Sequence, residues 1–177
     1  RTGPKISSCA MVEAGATLRM QPGDTLRITL INDMPPNLDT APTYMDQPHH
    51  LNTTNFHFHG AHVSPGGISD NVFRDMPPGG SYDIEITLPD DHPAGTYWYH
   101  SHSGFQEQQG LYGPIVIHPR DPDPVLYDRE HVLLLTDWTD EPPQRIYRKL
   151  KKESHYYNWR QRTVVDLVGD LRANGWS

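Results

Sequence analysis

Two short histidine pairs, His57-Phe58-His59-Gly60 and His100-Ser101-His102, are the residues of this sequence best spaced to do chemistry. Along an extended strand successive side chains alternate faces, so histidines at i and i+2 project to the same side, roughly 7 Å apart along the strand. Each pair therefore aims two imidazoles at one space. If the two strands face one another across a sandwich or at a barrel end, four imidazoles converge, a donor set for a late transition metal such as copper or zinc. The bland reading is a structural β domain with incidental histidines. It must set four aligned imidazoles among apolar and aromatic residues, where uncompensated polar groups are costly, with nothing to bind. Because imidazole ligates only when neutral, metal affinity is expected to fall as pH drops through about 6.5. The remaining histidines lack the pattern. His49, His50, His92, His118, His131 and His155 stand singly or in loops and read as solvated, with His49 and His50 able to line an opening. His62 follows the first pair but does not share its alternation.

The elements around the pairs read as short strands. Ala16 to Asn32 alternates apolar and polar residues on either side of Pro22-Gly23-Asp24, which predicts strand, turn and strand. Met34 to Pro48, rich in Pro, Asn and Asp, predicts a long loop. Further strands are expected over Asn55 to Val63, Gly80 to Leu88, Thr96 to His102 and Gly113 to His118, with Tyr82, Ile84, Ile86 and Leu88 on one core-facing side. Short strands fenced by Gly, Pro and Asp predict an all-β sandwich or barrel. Beyond Pro119 the character changes. Val132 to Thr136 suits a buried strand, Gln144 to Glu153 a basic helix, and Thr163 to Arg172 an amphipathic helix. Thr163 is its expected N-cap, Asp166 sits three residues on, and Asn174-Gly175 is its stop.

Bulk composition excludes several functions. The 177 residues carry a net charge of -7, which disfavours nucleic acid as a partner. A single cysteine, Cys9, permits no intramolecular disulfide and no Cys-rich zinc framework. No stretch approaches the ~20 apolar residues of a membrane span. Met11, Met20, Met34, Met45 and Met76 form no dense tract for cuprous ions.

The stretches Asn52-Thr53-Thr54-Asn55-Phe56-His57-Phe58-His59-Gly60 and Gly95-Thr96-Tyr97-Trp98-Tyr99-His100-Ser101-His102-Ser103-Gly104 are similar to the two copper motifs in the first domain of multicopper oxidases, the laccase and bilirubin oxidase family. The following Gly110-Leu111-Tyr112-Gly113-Pro114-Ile115-Val116-Ile117 agrees, and the resemblance covers about Cys9 to Pro119. Ser103-Gly104-Phe105-Gln106-Glu107-Gln108 and Asp137-Trp138-Thr139-Asp140-Glu141 look like the bacterial copper-resistance branch. The resemblance implies a cupredoxin-like Greek-key β-sandwich or barrel over residues 1–119. Residues 120–177 then form a final strand and a helical linker toward a second domain. It implies that His57 binds a type 2 copper, that His59, His100 and His102 bind a type 3 pair, and that Asp70 relays protons to reduced oxygen. Phe58 stands where many relatives have Trp, on the side pointing away from the metals. It also implies an exported protein, periplasmic or extracellular.

The family's type 1 copper needs a Cys flanked by His, and its trinuclear cluster takes four further histidines from the last domain; neither motif occurs here. The expectation is therefore an enzyme fragment, not an oxidase alone: the N-terminal domain of a protein that reduces dioxygen to water while oxidising cuprous ions or phenols. Its partner would be a C-terminal cupredoxin domain of the same protein, and Ser177 reads as a truncation point. The alternative is a free-standing domain that sequesters copper, or completes its site by self-association.

Overall fold

The computed structural model describes residues 15–38, 50–122, 125–137, 139–158 and 162–175. The readings of Cys9, Met11, Met45, His49 and Trp138, and most of the expected loop up to Pro48, fall outside them. The chain divides into two units, Arg1–Asp137 and Trp138–Ser177.

The first unit holds six strands: β1 (Leu18–Met20), β2 (Thr25–Ile31), β3 (His57–His59), β4 (Ser81–Thr87), β5 (Gly95–His100) and β6 (Tyr112–Ile117). One sheet has the order β1-β6-β5-β3, with β1 parallel to β6 and the other pairs antiparallel; β2 and β4 form a second, antiparallel sheet. In that second sheet the outward residues pair by chemistry. Thr25 meets Thr87, Arg27 meets Glu85 at 2.7 Å and Thr29 meets Asp83 at 2.7 Å. The inward residues Leu26, Ile28 and Leu30 oppose Ile86, Ile84 and Tyr82. A slip of one residue would turn Ile84 and Ile86 out to water, so burial and pairing fix the same register.

The core lies between the sheets. Leu18, Met20, Phe56, Phe58, Tyr99, Ile115 and Ile117 from one side meet Ile84, Ile86 and Leu88 from the other. Phe56 stacks on Tyr99 with centroids 4.7 Å apart and touches Phe58 at 5.1 Å. Fully burying one such side chain contributes about 1.5–3 kcal/mol, which is why three-residue β3 is held firmly. The Tyr99 phenol reaches Ala16 O at 3.0 Å, and burial pushes its pKa up to about 12, so it stays a donor. Its cross-strand neighbour is Gly113, where any Cβ would overlap the Tyr99 ring. This is the all-β sandwich with a helical extension that the sequence predicts.

Two expected elements differ. The strand expected over Asn55 to Val63 shortens to His57–His59, because Gly60 turns the chain away at φ +82°. The Val132–Thr136 strand is absent: a strand requires a partner's backbone, and this run has none among the described residues. Leu133 and Leu135 are exposed instead of buried. The run is tethered at its ends, by Arg19 to Glu130 at 2.6 Å and by a Tyr112–Thr136 hydroxyl contact.

The second unit contains α1 (Pro143–Lys152) and α2 (Val164–Asn174). Pro143 begins α1, where its missing N–H costs nothing. Thr163 and Asp166 form the expected reciprocal capping box, and Gly175 ends α2. The stripe Val164, Val165, Leu167 and Val168 is exposed. No described helix is long and apolar enough to cross a membrane.

Candidate metal centre

β3 and β5 are adjacent strands of one sheet, with His57 opposite His100, Phe58 opposite Tyr99 and His59 opposite Trp98. The histidine pairs therefore meet side by side within one sheet. Alternation does the sorting: Phe58 and Tyr99 enter the core, while His57, His59 and His100 project from the opposite face. β5 ends at His100, and His102 joins from the segment just beyond it.

His57, His59 and His100 converge on one point, and His102 lies beside them, its ring against those of His57 and His100. Ring centroids lie 5.4 Å apart for His57 and His59, 5.3 Å for His57 and His100, 4.7 Å for His57 and His102, and 5.0 Å for His100 and His102. His57, His59 and His100 present ring nitrogens within 4.8 Å of one another, and no other group of this kind occurs among the described residues. His59 Nδ1 faces His100 Nε2 at 3.1 Å. Two nitrogens each about 2.0–2.1 Å from one ion lie about this far apart, so the spacing fits a shared metal. His100 is buried at 5% exposure and His57 is half-buried, but His59 and His102 are exposed, so the cluster opens on a surface.

Asp70 is brought to the site and set behind His57. Both carboxylate oxygens lie 3.0 Å from His57 Nδ1, and Oδ1 also accepts Phe58 N–H at 2.9 Å. An acceptor-only carboxylate puts the proton on Nδ1 and leaves Nε2 of His57 free to ligate. Behind His100, Nδ1 faces Ser101 O at 3.0 Å and Glu107 Oε2 at 3.2 Å.

Two positioning residues lie within the stretches that carry the resemblance, but nothing in their type marks the role the structure gives them. Gln106, 4% exposed, accepts from Thr54 Oγ1 at 2.7 Å and Ser101 Oγ at 2.8 Å. It also donates to Leu51 O and Thr53 O. Asn55 accepts His102 N–H at 2.7 Å and donates to Val72 O at 2.7 Å, joining the His102 segment to the Asp70 loop. Among the described residues no buried side-chain polar atom lacks a partner. This order is what holds His102 in place past the end of its strand.

His100 and His102 titrate below the usual imidazole range. Burial is the main cause for each; His57 and His59 press on His100, and His57 and His100 on His102, while Glu107 opposes both shifts. Neutral rings are the ligating form, so these two keep donor capacity to lower pH than the ~6.5 of a free imidazole. The sign for stability follows. Between the lowered folded values and ~6.5 the unfolded chain binds more protons, so metal-free stability falls as pH drops through that window. Urea unfolding midpoints at pH 7.5, 6.5 and 5.5 should decline in that order, and a flat series would contradict the burial assigned to these rings.

The other histidines lie elsewhere. His92 is a correction to the expected solvation: it is buried, Nδ1 bonds Pro93 O at 2.9 Å and Nε2 accepts His62 N–H at 2.9 Å. It latches a turn, and His62 rests against it at 5.3 Å, away from the cluster. His118 meets Arg19 at 2.9 Å, and exposed His155 meets Glu153 at 3.0 Å.

Comparison with known proteins identifies the family. A family profile described as multicopper oxidase matches residues 12–122. The chain is 44% identical to copper resistance protein A of Pseudomonas syringae pv. tomato over 165 residues, 92% of this chain and 24% of that protein. It is 38% identical to copper resistance protein A of Escherichia coli over the same shares. The crystal structure of Fet3p, a multicopper oxidase that functions in iron import, aligns with TM-score 0.48 and 30% identity over 64% of this chain and 19% of that one. The chain thus spans about a quarter of the length of the curated relatives it matches. A family defined by copper, a cluster of imidazoles suited to that ion, and a match across more than half of the sequence place this chain in the multicopper oxidase family.

Proposed function

We propose that this chain is the N-terminal cupredoxin domain of a copper-resistance multicopper oxidase and supplies half of the histidines of its trinuclear copper cluster. The observation that carries the reading is the convergence of four imidazoles on a surface that leaves His59 and His102 exposed. A closed site would bury its ligands; an open one suits completion by a second surface. Here His57 is the type 2 ligand, and His59, His100 and His102 are the type 3 ligands. The cupredoxin domain occupies residues 1–119, and residues 120–177 lead toward the next domain. The protein is exported to the periplasm or the extracellular space.

Held by these histidines, copper would supply the electron transfer by which the whole protein would reduce dioxygen to water at the expense of cuprous ions or phenols. This chain's residues supply geometry and protons. Asp70 keeps the Nδ1 proton of His57 in place and, as the buried carboxylate nearest the cluster, relays protons toward it. Asn55 and Gln106 hold the His102 segment.

Copper titration, paired with visible absorbance and oxygen uptake, tests the reading. Copper bound without blue colour or oxygen uptake supports a half-site that works only with its partner domain. Blue colour with oxygen turnover by the chain alone would overturn it. Copper-dependent dimerisation that confers turnover would favour a self-completing site instead.

A further inference from the structure

Resting on the reading of His100 as a copper ligand, we propose that Glu107 is a positioning residue whose carboxylate backs the Nδ1 side of His100 and favours cupric over cuprous ion. Glu107 Oε2 lies 3.2 Å from His100 Nδ1, which also faces Ser101 O at 3.0 Å. Both neighbours are acceptors, so Nδ1 carries the proton and Nε2, facing His59 Nδ1, keeps its lone pair. The Ser101 carbonyl alone suffices to fix that tautomer. What Glu107 adds is charge.

The placement is built. Gln106, the preceding residue, is held by four hydrogen bonds, two accepted and two donated. The Glu107 carbonyl closes the turn by accepting Gly110 N–H at 3.0 Å. Glu107 is half-buried, where its field is screened less than on an open surface. Together with Asp70 behind His57, it gives two of the four imidazoles a carboxylate partner on opposite strands of the pair. The Nδ1 hydrogen bond of His100 goes to Ser101 O, so Glu107 acts on the ring through its charge. A fixed negative charge a few ångströms further out stabilises the doubly charged ion more than the singly charged one.

The test uses Glu107→Gln in the full 177-residue chain, with His100→Ala beside it. Affinities for Cu(II) and Cu(I) are each measured by competition with a chromogenic chelator, and unfolding is followed in urea. Gln keeps the length and an acceptor oxygen but not the charge. The expected result is Cu(II) binding about tenfold weaker, a smaller loss for Cu(I), and an unchanged unfolding midpoint. Unchanged Cu(II) affinity in Glu107→Gln, where His100→Ala has lost it, overturns the role of Glu107 and leaves His100 a ligand. Equal losses for the two oxidation states overturn it as well, since charge must discriminate between them. If His100→Ala binds both ions like the parent, the ligand assignment itself fails and takes Glu107 with it.

Discussion

The His100→Ala chain should lose more than about 100-fold in Cu(II) affinity, beyond the 10–100-fold typical of outer-shell partners, while keeping its sheets. His100 sits at the centre of the cluster, opposite His57, 3.1 Å from His59 Nδ1 and stacked on Trp98 at 4.2 Å. Its removal takes away the ring that links His59 to the others, leaving His57 beside His102, 4.7 Å away by ring centroid. The fold should survive because alternation puts Tyr99, not His100, into the core. Tyr99 is on β5 itself, so survival of the fold rests on the face of the strand and not on the strand's distance from the core. The lost ring stacking is worth about 0.5–1.5 kcal/mol, so the circular dichroism spectrum should persist with a modest drop in melting temperature. A collapsed spectrum would recast the pair as structural.

Asp70→Asn should weaken copper binding by about 10–100-fold, and should do so by moving a proton. The carboxylate offers only acceptors, two of them 3.0 Å from His57 Nδ1 and one shared with Phe58 N–H. If the amide oxygen keeps the Phe58 bond, the amide nitrogen faces Nδ1 and donates to it. That forces the proton of His57 onto Nε2, the atom needed for copper. Asp70→Ala removes the conflict but leaves Phe58 N–H unpaired, which costs about 1–3 kcal/mol. Asn should therefore bind copper worse than its stability loss implies, and Ala the reverse. Nitrogen-15 NMR of the imidazoles reports the tautomer directly; a His57 ring still protonated at Nδ1 in the Asn variant would contradict this account.

How much was legible differs residue by residue. The spacing of His57 with His59 and His100 with His102 encodes a shared face, because alternation is local. Which strands neighbour each other is not local, so how the two pairs meet stayed conditional in the sequence, and the structure puts them on adjacent strands. The face of β4 was legible for the same reason as the pairs, and Ile84, Ile86 and Leu88 are buried as the alternation requires. Val132 to Thr136 misled because apolar content signals a wish for burial without naming the partner. His92 misled because a histidine in a turn can be drawn inward when both nitrogens find bonds. The position of Asp70 in its loop was visible in the resemblance, but its hold on His57 and Phe58 required coordinates. Gln106 and Asn55 looked like ordinary polar residues, since their importance lies in having every polar atom satisfied.

The central claim is that His57, His59, His100 and His102 together form an open, all-imidazole copper site. X-ray absorption at the copper edge of the copper-loaded chain, compared with a His57→Ala/His100→Ala variant, tests it most directly. The account predicts a nitrogen-only first shell with imidazole back-scattering at ~2.0 Å, lost in the variant. A sulfur shell, or an unchanged spectrum in the variant, would contradict it.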